Sequence, residues 1–148
     1  MDDILHQFSD LCRRYGVRVT HQRLEIYRSL CRTTAHPSAE SVFEDVRRHV
    51  PTLSLDTVYR TLRTFESAGL AVRVGRIAGR DRFDGDTTPH VHFVCHRCEA
   101  VIDLPGEIHA VDDLAKLAPD VGSIHSVYVE ARGVCHACSG HGSPTSRS

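Results

Sequence analysis

The stretch "SLDTVYRTLRTFESAGL", residues 54–70, runs directly into "LAVRVGRIAGRDRFD", residues 70–84, and together they decide the fold. The first predicts a helix, because Ser54 can cap its start and Gly69 can end it. The second has β-rich runs around Gly75 and Gly79, which are typical of a hairpin. A helix followed at once by a hairpin indicates the end of a winged helix-turn-helix.

Three more helices are predicted before this stretch. Apolar residues recur at the helical period within residues 4–15. Thr20 is placed to cap a second helix and Ser38 a third, which should continue until Pro51 interrupts it. A bundle of helices that ends in a hairpin supports the winged-helix prediction.

The second half of the chain changes to strand patterns. After the polar "GDTTPH", residues 85–90, strands are predicted at residues 90–95, 100–104 and 123–134, with one short helix from about residue 107 to 117. The last residues, 139–148, have too few apolar side chains to be held down and are predicted to be a disordered tail. The fold class is therefore α+β.

Composition and charge limit the possible functions. The chain has 148 residues, 41% of them hydrophobic, which fits one domain or two small lobes. Its N-terminus is acidic and no apolar run reaches the roughly 20 residues that span a bilayer, so we expect a cytoplasmic protein without a membrane partner. Residues 1–83 contain 14 Lys and Arg against 10 Asp and Glu, whereas residues 84–148 contain 4 against 9. This asymmetry is compatible with a nucleic-acid-facing first half, but by itself is weak evidence.

Two CxxC pairs predict a structural zinc site. Each pair supplies two thiolates at the spacing of a tetrahedral zinc site, and in a reducing compartment metal binding is favoured over the alternatives, disulfides or unrelated buried cysteines. Sulfur in all four positions closes the site, so we expect it to stabilise the fold rather than perform chemistry. The predicted ligands are Cys95, Cys98, Cys135 and Cys138. Cys12 and Cys31, single on apolar helix faces, are predicted to be small core residues.

A second metal site is predicted beside the first. In an extended segment His90 and His92 share one face while Cys95 points to the other, so two separate sites are favoured over one. Asp84 and Asp103 flank them, and mixed imidazole and carboxylate ligands suit Fe(II), Mn(II) or Zn(II). The alternative is that the histidines are ordinary surface or core residues. A hydrolase is weakly supported, because Val94 stands where a further aspartate would be wanted, and we predict that the chain is not an enzyme.

The polar face of the fourth helix is a candidate for DNA contact. Arg60 could reach guanine edges or phosphates, and Tyr59 could reach thymine methyls or the backbone. A solvated helix face is an equally good interpretation from periodicity alone, so the fold has to decide.

Several motifs resemble the ferric uptake regulator (Fur) family between about Gly16 and Cys138. They are "GVRVTHQR", "HPSAESVF", "LSLDTVYRTLRTFESAGL", "RFDG", "HVHFVCHRC", "VID" and "GVCHAC". The resemblance implies a winged-helix DNA-binding domain at residues 1–83 and a metal-binding dimerisation domain at residues 84–138. It also implies a homodimer that binds double-stranded DNA, at a palindromic A/T-rich operator, when metal is bound.

The resemblance also implies specific sites. The four CxxC cysteines would hold structural Zn(II), and an inter-lobe sensing site holding Fe(II) or Mn(II) would use His36, Asp84, His90, His92 and Asp103. His36 enters only through the resemblance. The predicted DNA contacts are Arg18, Thr57, Tyr59, Arg60 and Arg63.

The branch of the family depends on single positions. Asp103, where iron-sensing members usually have glutamate, resembles the peroxide-responsive (PerR) regulators, in which Fe(II) reduces peroxide and ligand histidines are oxidised; these would be His36 and His90 here. Arg60 resembles the iron-sensing branch instead, Glu99 replaces a common glycine and Val91 replaces an aspartate of an additional metal site. Remnants of that additional site would be Glu107 and His125.

We therefore predict a metal-dependent transcriptional repressor that senses peroxide. The alternative within the family is a regulator of iron, zinc, manganese or nickel uptake. The alternative outside it is a zinc-stabilised protein-interaction module that binds no DNA.

Overall fold

The computed structural model describes residues 2–88, 90–104, 110–117, 121–122 and 129–140. These fall into two compact units, Met1–Thr87 and Thr88–Ser148. The predicted boundary between residues 83 and 84 stays a prediction, and residues 141–148 of the predicted tail lie outside the described residues. In the described part, no helix is both long and apolar enough to cross a membrane.

Unit 1 contains four helices followed by a hairpin. The helices are α1 (Asp2–Tyr15), α2 (His21–Cys31), α3 (Ala39–Val46) and α4 (Leu55–Ala68), and the antiparallel hairpin is β1 (Val72–Ile77) with β2 (Arg80–Asp84). This order confirms the winged-helix arrangement and the α+β class.

Local capping explains where the helices begin. The side chains of Thr20, Ser38 and Ser54 each accept a hydrogen bond from a backbone N–H in the first turn of α2, α3 and α4. Gly69 ends α4 in the left-handed conformation, with φ of 83°, which a side-chain-bearing residue adopts only with strain. All four were predicted from the sequence.

The core of unit 1 is formed by the inner faces of its helices. Phe8, Tyr27 and Phe65 lie at its centre, with ring centroids 5.0 to 6.2 Å apart. Cys12 is fully buried beside them, as predicted. The prediction for Cys31 was wrong: it is exposed, because it is the last residue of α2 and lies beyond the core cluster.

The third helix is shorter than predicted. It ends at Val46 rather than continuing to Pro51. The N–H groups of His49 and Val50 both donate to the Val46 carbonyl, forming a tight turn. This turn places His49 Nε2 3.0 Å from the buried carboxylate of Glu25 on α2, so a tertiary contact accompanies the early end of the helix.

Unit 2 is built on a three-stranded sheet. Its strands are β3 (Val91–Cys95), β4 (Val101–Leu104) and β5 (Val129–Gly133), in the order β4-β3-β5. β4 is antiparallel to β3 and β5 is parallel to it. The helices are α5 (Ala110–Leu117) and the short α6 (His136–Ser139). Residues 107–109 of the predicted helix and 123–128 of the predicted strand lie outside the described residues.

Candidate metal centres and DNA-contacting face

Strand register in unit 2 brings the two CxxC pairs together. In the parallel pairing, Cys95 at the end of β3 lies opposite Gly133 at the end of β5. His96 N–H donates to the Gly133 carbonyl over 2.9 Å, which continues the pairing past the strand ends. Because parallel strands end at the same edge of a sheet, each CxxC segment emerges beside the other.

The four sulfur atoms converge at this edge. The Sγ atoms of Cys95, Cys98, Cys135 and Cys138 all lie within 4.8 Å of one another. The Cys98 and Cys135 sulfurs are 3.7 Å apart, close to the separation of about 3.8 Å expected for a tetrahedral site with Zn–S bonds of about 2.3 Å. None of the six cysteines, all of which are described, forms a disulfide.

The local backbone favours an ionised sulfur at Cys95. Hydrogen bonds from the N–H groups of Cys98 and Cys135 lower the pKa of Cys95 to about 5, and the Cys135 N–H lies 3.4 Å from the sulfur. Hydrogen bonds with the sulfurs of Cys135 and Cys98 raise the pKa of Cys138 to about 12. Because metal binding requires deprotonated sulfur, a thiolate at Cys95 suits a bound cation.

Arg97 connects the two CxxC pairs, and the sequence analysis did not identify it. Its guanidinium donates to the carbonyl of Cys138 over 3.1 Å. This bond connects the middle of the first CxxC pair to the end of the second. In the sequence, only its position between Cys95 and Cys98 could have indicated this role.

In unit 1 the predicted ligands His36 and Asp84 meet. His36 Nε2 lies 3.3 Å from Asp84 Oδ2, and both side chains are more than 90% buried. The other carboxylate oxygen of Asp84 accepts the N–H of Asp86 over 2.8 Å, which orients Oδ2 towards the imidazole. One nitrogen and one oxygen donor are therefore placed together inside this unit.

In unit 2 three predicted ligands meet. His92 on β3 pairs directly with Asp103 on β4. Asp103 Oδ1 lies 3.3 Å from His92 Nε2 and 3.5 Å from His90 Nε2. The two imidazole centroids are only 4.2 Å apart, as expected for residues on one strand face.

The tautomer of His90 suits metal ligation. Its Nδ1 lies 2.6 Å from the carbonyl of Thr88, and because a carbonyl only accepts, Nδ1 carries the proton. In a neutral imidazole the lone pair is then on Nε2, the nitrogen that faces Asp103. A backbone carbonyl that fixes one imidazole nitrogen is the usual support of a metal-binding histidine.

The predicted additional site is only partly described. Val91 begins β3, whereas Glu107 and His125 lie outside the described residues. The prediction that these two residues are remnants of that site therefore stays a prediction.

The predicted DNA contacts lie on or near α4 in unit 1. Arg60 and Arg63 are exposed on this helix, and Arg18 is exposed just before α2. Arg60 pairs with Asp56 over 2.9 Å, but both side chains are more than 70% exposed, so the pair contributes little and can open to a phosphate. Thr57 lies in the first turn, with its hydroxyl 2.8 Å from that of Ser54.

Tyr59 is held by a carboxylate that sequence reasoning missed. Its hydroxyl donates to Glu40 Oε1 over 2.6 Å, and Arg80 Nε of the hairpin lies 3.9 Å from the same oxygen. The Tyr59 bond contributes most to lowering the pKa of Glu40 below its usual range. Glu40 thus connects α3, α4 and the hairpin, a long-range role that no motif indicated.

Comparison with known proteins identifies a group of related sequences. Residues 14–120 match the profile described as "Ferric uptake regulator family". The chain is 31% identical over 131 residues to the peroxide-responsive repressor PerR of Staphylococcus epidermidis, covering 88% of this chain and 87% of that protein.

Solved structures show the same fold. The ferric uptake regulator of Helicobacter pylori superposes with a TM-score of 0.69 at 19% identity, covering 93% of each chain. A zinc uptake regulator in complex with zinc and DNA superposes with a TM-score of 0.66 at 28% identity, covering 94% of this chain and 95% of that one.

Proposed function

Because the chain belongs to the ferric uptake regulator family, whose members are metal-dependent transcription regulators, we propose that it is a peroxide-sensing repressor. The observation that carries the proposal is the convergence of His90, His92 and Asp103 in unit 2. An aspartate there, rather than the longer glutamate, leaves more coordination space for peroxide. The 31% identity to a peroxide-responsive repressor supports the same branch.

The regulatory ion is proposed to take ligands from both units. Two are buried in unit 1 and three converge in unit 2: His36 and Asp84, then His90, His92 and Asp103. Imidazole and carboxylate ligands fit Fe(II) and Mn(II), which prefer nitrogen and oxygen donors. An ion shared between the units favours the arrangement that binds DNA, because binding shifts the population towards the state that holds it more tightly.

The proposed sensing step is oxidation of the ligands themselves. Fe(II) bound at this site would catalyse the transfer of one oxygen atom from peroxide to a ligand imidazole, with water as the other product. His36 and His90 are the ligands that we expect to gain this oxygen, as in the peroxide-responsive regulators that the chain resembles. An oxidised imidazole is a poorer ligand, so the units are released and repression ends.

The four cysteines are proposed to hold Zn(II) permanently. Their sulfurs fill all four positions of a tetrahedral site, so the ion has no place for substrate or peroxide. They join the ends of β3 and β5, which secures the last strand of the sheet.

Each protomer of the dimer is proposed to contact DNA through α4 of its unit 1. The exposed Arg60 and Arg63 face solvent from this helix, which also carries Tyr59, and Arg18 is exposed just before α2. Dimerisation is proposed to use unit 2, which exposes apolar side chains that a second copy would cover. These include Ile102, Leu104, Leu114 and Leu117.

A metal-uptake regulator is the second candidate. Arg60 resembles the iron-sensing branch, and the chain is 28% identical to a zinc uptake regulator solved with zinc and DNA. In that case metal-loaded protein would bind DNA in the same way but would not respond to low peroxide.

DNA binding is tested by gel shift on palindromic A/T-rich duplexes. We expect Mn(II)-loaded protein to bind, and its affinity to fall steeply with salt because phosphate contacts release counterions. Arg60→Ala should weaken binding, while Arg76→Ala, an arginine in the hairpin strand that is 71% exposed, serves as the matched control. Absence of any retention by the loaded protein would leave only the protein-interaction module.

A further inference from the structure

The backbone of His36 is strained in a way that calls for support. Its φ is 52°, a left-handed conformation that residues with a side chain rarely adopt. The next residue is Pro37, and a residue before proline normally prefers an extended backbone. Such strain persists only where neighbouring structure holds the residue in place.

Strand β2 provides that hold. Phe83 N–H donates to the Pro37 carbonyl over 3.0 Å, and Ser38 forms an isolated antiparallel bridge with Arg82. The Arg82 guanidinium donates through Nη1 to the carbonyl of His36 itself, over 3.2 Å. The segment that carries the ligand is therefore paired to the hairpin immediately beside it.

Two side chains on one face of β2 contact His36, one at its backbone and one at its imidazole. Side chains alternate along a strand, so Arg82 and Asp84 point to the same side. Arg82 binds the backbone carbonyl of His36, and Asp84 lies 3.3 Å from the imidazole Nε2. Backbone and ring are thus both fixed by residues two positions apart.

The Arg82 bond is partly shielded from water. Its Nε is buried, and none of the described residues accepts a hydrogen bond from it. The guanidinium lines a cleft of about 350 Å³ together with Pro37, Ser41 and Asp45, but Asp45 accepts the Ser29 hydroxyl over 2.7 Å. Among the described residues, the Arg82 guanidinium donates to the His36 carbonyl, and a charged donor makes that bond stronger than a neutral one.

We propose that Arg82 is a positioning residue that holds His36 ready to bind the regulatory ion. The proposal rests on the proposed function, because it assumes that His36 is a ligand. Arg82 does not touch the ion; it fixes the backbone from which the imidazole projects. Without it the His36 backbone relaxes to an unstrained conformation, and part of the binding free energy is spent on restoring the ligand geometry.

The sign of the effect separates this role from a simple charge effect. A positive guanidinium near a cation site opposes cation binding, so removing it for electrostatic reasons alone would raise the affinity for metal. A positioning role predicts the opposite. Loss of a supporting partner of a ligand typically costs roughly 10- to 100-fold in metal affinity.

The experiment titrates zinc-replete full-length protein with Mn(II) and compares wild type, Arg82→Met, Arg82→Lys and Arg76→Met. We expect Arg82→Met to weaken Mn(II) binding by about 10- to 100-fold. Arg82→Lys, which keeps the charge but loses the planar fork, should weaken it in the same direction but less. Arg76→Met should match wild type, because Arg76 is exposed and its contacts, with the Gly79 carbonyl and the Asp81 carboxylate, lie within the hairpin.

A DNA-binding readout distinguishes positioning from general damage. At saturating Mn(II), Arg82→Met should recover wild-type affinity for DNA, because its defect lies in occupancy of the site. Unchanged or tighter Mn(II) binding by Arg82→Met overturns the proposal, as does a DNA-binding defect that excess Mn(II) does not correct. If Arg82→Met does not fold, the same criteria apply to Arg82→Lys. Failure of wild type to bind Mn(II) beyond its zinc overturns the proposed function itself.

Discussion

The cysteine cluster and the histidine–aspartate sites differ in how the chain assembles them. The four cysteines belong to one unit and lie at the ends of two adjacent strands. The proposed nitrogen and oxygen ligands are divided, with His36 and Asp84 in unit 1 and the other three in unit 2. A site confined to one unit acts first on the stability of that unit. Ligands divided between two units can report on their arrangement, which is what a regulatory site requires.

Ligand chemistry sharpens the same contrast. At the cysteine cluster, backbone N–H groups favour the charged sulfur of Cys95. At the other site, the Thr88 carbonyl holds the proton on His90 Nδ1, which leaves Nε2 as the nitrogen that can bind a metal. Thiolates retain zinc, whereas imidazoles and carboxylates allow weaker and exchangeable binding of Fe(II) or Mn(II). The two sites should therefore respond separately to mutation.

Cys95→Ser should have the largest effect. Loss of one thiolate is expected to release the zinc and destabilise unit 2 and the dimer, because structural zinc binding contributes directly to folding free energy. Elemental analysis after chelation and gel filtration, together with thermal unfolding, measures this. Cys31→Ser is the matched control, since Cys31 is exposed and outside the cluster. A full zinc content and an intact dimer in Cys95→Ser would contradict the assignment.

His92→Ala should break the second site and spare the first. We expect zinc content and fold to persist while Mn(II) affinity falls by more than the roughly 10- to 100-fold that loss of a supporting partner costs. His96→Ala is the control, because this neighbouring side chain is exposed. Mn(II) titration with parallel zinc analysis measures both sites. Loss of zinc from His92→Ala would show that the sites are not independent.

Asp103→Glu should have the smallest effect on binding. A longer carboxylate keeps the ligand charge, so metal-dependent DNA binding should remain within a few-fold of wild type. Its extra length fills coordination space near His90 and His92, so the response to peroxide should be blunted. Gel shifts of Fe(II)-loaded wild type and Asp103→Glu, before and after low peroxide, measure both DNA binding and the peroxide response. An undiminished peroxide response would show that the aspartate does not determine the branch.

Features set by neighbouring residues were predictable from the sequence. The caps Thr20, Ser38 and Ser54 and the stop at Gly69 depend on local backbone chemistry, so each was predicted at the right position. The shared face of His90 and His92 follows from strand alternation. The CxxC spacing indicated which sulfurs would converge, although only the register of β3 with β5 explains why they do.

Features set by tertiary contacts were not predictable in this way. The early end of α3 accompanies the contact between His49 and Glu25, and the exposure of Cys31 depends on where the core stops. Arg82 and Glu40 act across long sequence separations, on His36 and Tyr59 respectively. His36 was selected only by resemblance to the family. Neither the composition of the chain nor the periodicity around residue 36 indicates that β2 would place Asp84 beside it.

Mass spectrometry of peroxide-treated protein tests the central claim most directly. Protein loaded with Fe(II) or with Mn(II) is given low peroxide, then digested, with DNA binding measured on the same samples. The account predicts a single added oxygen on the peptide containing His36 or His90 in the Fe(II) sample, together with loss of DNA binding. The Mn(II) sample should stay unmodified and bound. Fe(II)-loaded protein that remains unmodified and bound to DNA would contradict peroxide sensing and favour a metal-uptake regulator.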